Sequence, residues 1–325
     1  EEDGPPLPAD QLLDLAIADL DQATALGTRV DAALARAYRL KGDAVSASAA
    51  ANDALAADAD FAFLQGYDAN SIQNSPYFYL VLRALQEMQP LPRLDFLDPK
   101  YLTRVQGIAV AKAEEMHLIL AEIALTDDNI GGAQAALRAA IELAQSRAVT
   151  TFVDEDPRLN ADLSIRPRDA SIEVRADASS PFRSGLVLTR PGSVDQRVVS
   201  GTSLDADSVA ALTDIDELWH AFHLARQEIL FLEGRRMSDL GIRLPMMQRE
   251  IDANPSINEG DPGTAVVVPA YLPPQDQIDL FTPSTPYDGD SSTPPEDLVL
   301  VTTEVTINHD MNAILTANRV SPFLN

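Results

Sequence analysis

Small side chains recur at helical spacing in two Ala- and Leu-rich stretches within the first 150 residues. That pattern commits the chain to closely packed antiparallel helices. In the first stretch Leu12, Leu13, Leu15, Ala16, Leu20 and Ala23 line one face, with Asp10, Asp14, Asp19 and Asp21 largely off it. Pro8 and Asp10 supply start signals and Gly27 a stop. The spacing predicts a second helix from about Asp31 to Leu40, a turn at Lys41-Gly42-Asp43 and a third helix over 44–57. Ala33, Ala37, Tyr38, Gly42, Ala47, Ala50, Ala54 and Leu55 supply the small-residue seam between the last two.

The pattern returns lower down. Helix is predicted over Glu115–Leu125, a turn at Thr126-Asp127-Asp128-Asn129, and helix again from Gly131 to Arg147. The hairpins at 10–57 and 109–147 resemble tetratricopeptide-type units, although 84 residues separate Ala37 from Ala121 and the period is not regular. Between them one helix is expected at Tyr77–Met88, flanked by long loops. Residues 150–205 read as a β-containing insert, with short strands at Ser171–Arg175 and Gly185–Thr189. A long helix is expected over 207–234, carrying Trp219. Residues 246–325 read as a Pro-rich, loop-rich extension, mobile around 282–296, with one late strand at Thr302–Ile307. The expected fold is mainly α: an irregular α/α superhelix of tetratricopeptide-like hairpins with a β-containing insert and a loop-rich carboxyl-terminal region.

Charge narrows the partners. The 325 residues hold 50 Asp and Glu against 24 Lys and Arg, a formal net charge of −26. A phosphate backbone would be repelled over most of such a surface, so nucleic acid is excluded, as is docking on anionic lipid through a basic patch. With no Cys there is no disulfide, thiolate metal site or cysteine nucleophile. No apolar run of about 18 residues signals a membrane span. The start, Glu1-Glu2-Asp3-Gly4-Pro5-Pro6, reads as a solvated leader left by processing or trimming.

Three segments carry a family resemblance. Glu115-Met-His-Leu118-Ile119-Leu-Ala121-Glu122 resembles the E-x-x-L-I-x-A-E helix of the SusD/RagB family of nutrient-binding outer-membrane lipoproteins. Glu233-Gly234-x-Arg236-x-x-Asp239-Leu240 resembles its E-G-x-R-x-x-D-L signature, with Arg226 and Leu230 ahead of it but Ala225 and Ile229 where the family usually has acids. Asp156-Pro157-Arg158 lies between them, where the family often has the same tripeptide. The resemblance covers roughly 10–245 and implies a non-catalytic protein on the outer-membrane surface. Such a protein captures glycan or peptide for a TonB-dependent SusC-like transporter, and it touches the membrane only through a lipid anchor outside this chain. Glu115, Ala121, Glu122, Arg226, Glu233, Gly234, Arg236 and Asp239 are the matched positions, expected to tie the long helix to the loop after it. The alternative is a structural, self-assembling surface protein built from helical repeats.

Candidate sites follow from residue type. Tyr67, Tyr77, Tyr79 and Tyr101, with Asn70, Gln73 and Asn74 as hydrogen-bond partners, make a candidate ligand platform; packing of Tyr77, Phe78 and Leu80 onto neighbouring helices is the competing reading. His220 and His223, three apart on one helix after Asp216 and Glu217, have metal-ligand spacing, but no further ligand is signalled and Trp219 and Phe222 point to a core helix. No metal is assigned there, and His117 is expected to pack in the core. Asp288-Gly289-Asp290-Ser291-Ser292 has the look of a Ca²⁺ turn without EF-hand spacing, so Ca²⁺ at acidic loops is the one cofactor considered. Gly-x-Ser-x-Gly, His-Glu-x-x-His and phosphate-loop motifs are absent, and no enzyme is expected.

Overall fold

The computed structural model describes residues 5–68, 70–76, 100–101, 103, 105–153, 173–175, 183–184, 193–274, 277, 280–282, 303–306 and 309–324. Among them the protein is mainly helical. The helices are α1 Ala9–Gln22, α2 Thr28–Lys41, α3 Ala44–Ala57, α4 Ala113–Thr126, α5 Ile130–Ser146, α6 Ala206–Ala210, α7 Ile215–Ile229, α8 Arg236–Asp239, α9 Gln248–Ala253 and α10 Met311–Ala317.

Five of these helices begin on an Asp or Asn whose side chain accepts backbone N–H groups of the first turn. Asp43 takes Ser46, Asn129 takes Gly132, Asp205 takes Ser208, Asp214 takes Asp216 and Glu217, and Asp310 takes Asn312 and Ala313. Part of the acidic excess therefore serves as helix caps, each contributing about 1 kcal/mol. Helix α2 ends on Gly42 in the left-handed region, with φ 76°.

Two short antiparallel ladders accompany the helices. Strand β1 (Ala62–Gln65) pairs with β2 (Ile108–Lys112), and β3 (Val149–Val153) pairs with β6 (Ser193–Arg197). Four further short strands, β4 (Glu173–Arg175), β5 (Arg183–Ser184), β7 (Leu280–Thr282) and β8 (Thr303–Thr306), are ordered β5-β4-β8-β7 in one sheet.

Helix α4 is the centre of the molecule. Ten of its fourteen residues are buried, which leaves it almost no solvent face. Met116 and Ile119 join a core with Ala32, Ala35, Ala47, Ala51 and Phe61. On another face Leu118 and Leu125 join Leu137, Ile141, Trp219, Phe222 and Ile229. Ala and Gly at the seams are what allow helices to approach on both sides. The carboxyl-terminal segment closes the structure: Asn312 donates to Gln227 Oε1 at 2.8 Å, and Phe323 packs against the first core.

The structure corrects several expectations. The helix predicted over 207–234 is two helices, because Asp214 caps α7 and so restarts the chain after α6. It also stops short of 234: Leu232 and Gly234 take positive φ values of 57° and 74° and turn the backbone away. The second hairpin begins at 113 rather than 109, since Ile108–Lys112 is strand β2. Its partner at Ala62–Gln65 and the helices at Gln248–Ala253 and Met311–Ala317 were not expected. The predicted strands at 171–175 and 302–307 are observed as Glu173–Arg175 and Thr303–Thr306. Residues 77–88, 185–189 and 283–296 lie outside the described residues, as do Asp156-Pro157-Arg158 and the Asp288–Ser292 turn.

Candidate functional site

A helix buried on most sides can carry carboxylates only if each is met by a cation. Helix α4 carries three, Glu114, Glu115 and Glu122, all buried. Arg147, just past the end of α5, holds Glu114 in a fork with both contacts at 2.7 Å and also donates to the carbonyls of Asp60 and Phe61. Arg36 grips Glu115 through Nε at 2.9 Å and through Nη2, and Arg235 Nε reaches the same Oε1 at 3.1 Å. Both arginines also donate to the carbonyl of Val110, at 2.7 and 2.9 Å, which pins strand β2 into the layer. Arg39 forks onto Glu122 at 2.5 and 3.1 Å and lies 3.3 Å from Asp239, which in turn accepts from Arg226 at 2.8 Å.

The layer ends at the carboxyl terminus of α7. There the backbone turns through Leu232 and Gly234 and leaves helix-end carbonyls without internal partners. Lys112 donates to Ile229 O at 2.6 Å, Lys100 donates to Phe231 O, and Tyr101 donates to Leu232 O at 2.9 Å. Both lysines also meet Glu233 Oε1. Cations at this end of a helix also oppose its negative dipole end.

The charges tune one another. Burial works against ionised Glu115, yet the Arg36 and Arg235 guanidiniums outweigh it and hold this carboxyl well below the usual range. Glu114 is lowered in the same way, by Arg147 and Lys112 against burial. Burial, then the adjacent Lys112 charge, lowers Lys100 to about 8 despite Glu233.

Every charged residue matched to the E-x-x-L-I-x-A-E and E-G-x-R-x-x-D-L patterns except Arg236 has a described ion-pair partner in this layer, as does Arg226. Arg236 is half-buried, and burial lowers its pKa. Ala121 is fully buried where α4 meets its neighbours, and Gly234 supplies the positive φ. Residues that the patterns do not mark complete the set: Glu114, Arg36, Arg39, Lys100, Lys112, Arg147 and Arg235. One signal for them was available. Only three lysines occur in the chain, and two of them are buried here.

The proposed aromatic platform is not assembled by the described residues. Tyr101 is wholly buried, so its ring packs in the interior instead of facing a ligand. Asn74 is buried and donates to Gln106 O at 2.7 Å. Tyr67 and Gln73 are half-buried and Asn70 is exposed, its backbone N–H bonded to Asp68 at 2.8 Å. Tyr77 and Tyr79 lie outside the described residues.

The histidines separate by environment. His223 is buried, stacks on Trp219 with ring centres 5.6 Å apart, and is lowered to about 3 by burial. His220 is half-exposed, with Nε2 3.9 Å from Asp310. His117 is half-buried and lowered by burial. Among the described residues no group of three or more His, Asp or Glu is arranged to hold a metal ion.

Two surface concavities stand apart from the buried layer. One, of about 500 Å³, lies over α6 and the first turns of α7, with Leu204, Leu212 and Leu224 in its lining and Asp205, Asp214, Asp216 and Glu217 around it. The other, of about 990 Å³, lies between the Pro5–Leu12 segment and the chain from Arg243 to Val267. Among the described residues no helix is long and apolar enough to cross a membrane. No family model matches this chain, and no match was found among curated proteins or solved structures.

Proposed function

We propose that this chain is a non-catalytic ligand-binding protein of SusD/RagB type. It is built as an irregular superhelix of tetratricopeptide-like hairpins, and it captures peptide or glycan at the outer-membrane surface for a TonB-dependent SusC-like transporter. One observation carries the reading. The two segments that resemble the family's patterns, more than a hundred residues apart, are joined through a single buried ion-pair layer. Those residues bind one another and so serve as scaffold, which leaves ligand capture to surface loops and pockets. Calorimetry of the purified chain with glycan and oligopeptide panels tests it. Heat of binding at millimolar ligand or below, with no turnover of the ligand, is the expected result; no response from either panel overturns it.

A second reading, a self-assembling surface protein, draws on the larger groove. In a chain with 23% charged residues, Arg243 and Glu250 are the only charged groups among the described residues of its lining. A nearly neutral apolar surface is where a strongly acidic chain can meet a copy of itself. Ordered polymers in electron micrographs, together with silent calorimetry, would favour this reading over the first.

A further inference from the structure

The smaller pocket has features that its capping duties do not explain. Asp205 and Asp214 bond to the first N–H groups of their helices, and Asp216 accepts from Arg319 at 3.1 Å. Glu217 is exposed, and its carboxylate meets no cation or donor among the described residues. Beneath it Leu204, Leu212 and Leu224 are half-buried around buried Val209 and Ala221, forming an apolar floor open to solvent. Four carboxylates border this floor, and among the described residues no Lys or Arg lines it. Such a surface repels anions. It complements a cation carried on an apolar arm. The chain's own guanidiniums already sit on carboxylates at the edge of this region, Arg319 on Asp216 and Arg138 on Asp207 at 2.9 Å.

We propose that this pocket binds a Lys or Arg side chain of a peptide ligand, with the alkyl stem on Leu204, Leu212 and Leu224 and the charged head on Glu217 beside Asp216. The assignment rests on the ligand-binding reading above and narrows its ligand class to basic peptides. At about 500 Å³ the pocket has room for one long side chain, in the size range of small-ligand sites.

The probe is n-hexylammonium, with hexanoate, hexanol and tetramethylammonium as controls, titrated against the intact chain by NMR or calorimetry. Hexylammonium is expected to bind with a dissociation constant on the order of millimolar, and each control at least about tenfold more weakly. The double variant Asp216→Asn/Glu217→Gln is expected to weaken it about fivefold or more, whereas Asp19→Asn/Asp21→Asn, which removes the same charge from exposed α1 positions, changes it less than about twofold. Equal weakening in both variants would mean attraction to the general acidic field and would overturn the proposal. Equal binding of hexanol would reduce the site to an apolar pocket and overturn it too. Retained hexylammonium binding with no response to any oligopeptide would instead fail the ligand-capture reading and leave the pocket's cation preference standing.

Discussion

Lys100 and Lys112 donate to one and the same oxygen, Oε1 of Glu233, at 2.7 and 2.6 Å. Two buried ammonium groups sharing a carboxylate repel each other, and they stay together because helix-end carbonyls at Ile229 and Phe231 accept from them as well. Together with Tyr101 they fasten the Lys100–Tyr101 pair and the end of β2 to the end of α7, across more than a hundred residues of sequence. This clamp sets where the chain turns after α7 and holds Arg235 within reach of Glu115.

The crowding leaves a pH signature. Lys100 has a pKa of about 8 when folded, below its ordinary value of 10.5. Between those values the unfolded chain keeps a proton that the folded chain has released, so this group's contribution to stability rises with pH, by at most about 1.4 kcal/mol per pH unit. Tyr101, raised by burial, acts in the opposite sense only above about pH 10. Urea unfolding of the wild type and Lys100→Met between pH 8 and 9.5 should show a rising difference in favour of the wild type. Parallel curves would show that Lys100 does not titrate in this window.

His223 acts in the same sense as Lys100, but in acid. Its folded pKa of about 3 lies below the ordinary 6.5, so as pH falls below 6.5 the unfolded chain takes up a proton that the folded chain refuses, and stability falls. Among the described residues its Nε2 has no hydrogen-bond partner, so His223→Leu removes a polar group with little to lose. The variant should be less sensitive than the wild type between pH 6.5 and 5, above the range where carboxylates dominate. Equal acid sensitivity would contradict the assignment.

Two glycines separate backbone strain from steric clash. Gly27 and Gly42 both have positive φ, 56° and 76°. A Cβ on Gly27 meets nothing within 4 Å, while one on Gly42 would lie 2.5 Å from the carbonyl oxygen of Pro322. Gly27→Ala should cost about 1–3 kcal/mol through backbone strain alone, because φ 56° with ψ −132° is a conformation that residues with a Cβ avoid. Gly42→Ala, in the left-handed region, should add the clash to a backbone cost of about 1 kcal/mol and loosen the Pro322–Leu324 turn, read as faster amide exchange at Phe323 that Gly27→Ala does not cause. Unchanged exchange at Phe323 in Gly42→Ala would show that the carboxyl-terminal turn does not depend on the close approach at Gly42.

Much of the helical architecture was legible in the sequence, because the Ala seams and Asp or Asn caps are local signals. The three helices over 9–57 and the pair at 113–146 lie close to where periodicity placed them. The break inside 207–234 was hidden, since Asp214 reads equally as a solvated helix residue and as a cap. Strand β1 at Ala62–Gln65 was invisible because its partner lies at Ile108–Lys112, and short paired strands depend on a neighbour rather than on their own propensity. In the charged layer the acids could be picked out from Glu115, Glu122, Glu233 and Asp239. Their partners Arg36, Arg39 and Lys112 come from elements that only the fold brings near. Tyr101 misled for a related reason: an aromatic beside a loop reads the same whether its ring faces solvent or the core.

The layer also redistributes the charge. Its five acids and seven basic residues carry a net +2 against −26 for the chain, which leaves −28 on everything else. Surface self-repulsion reaches only about 8 Å at physiological salt and farther when salt is low. The melting temperature should therefore rise as NaCl is increased from about 10 mM to 150 mM. A melting temperature that stays flat or falls would mean that surface repulsion does not limit stability.

The segments 115–122 and 233–240 hold each other through buried ion pairs, and the Glu115–Arg235 contact joins them directly at 3.1 Å. A double-mutant cycle with Glu115→Gln and Arg235→Met, read by urea unfolding, measures that link. A favourable coupling of about 1–3 kcal/mol is expected, with each single change destabilising. A coupling indistinguishable from zero would contradict it.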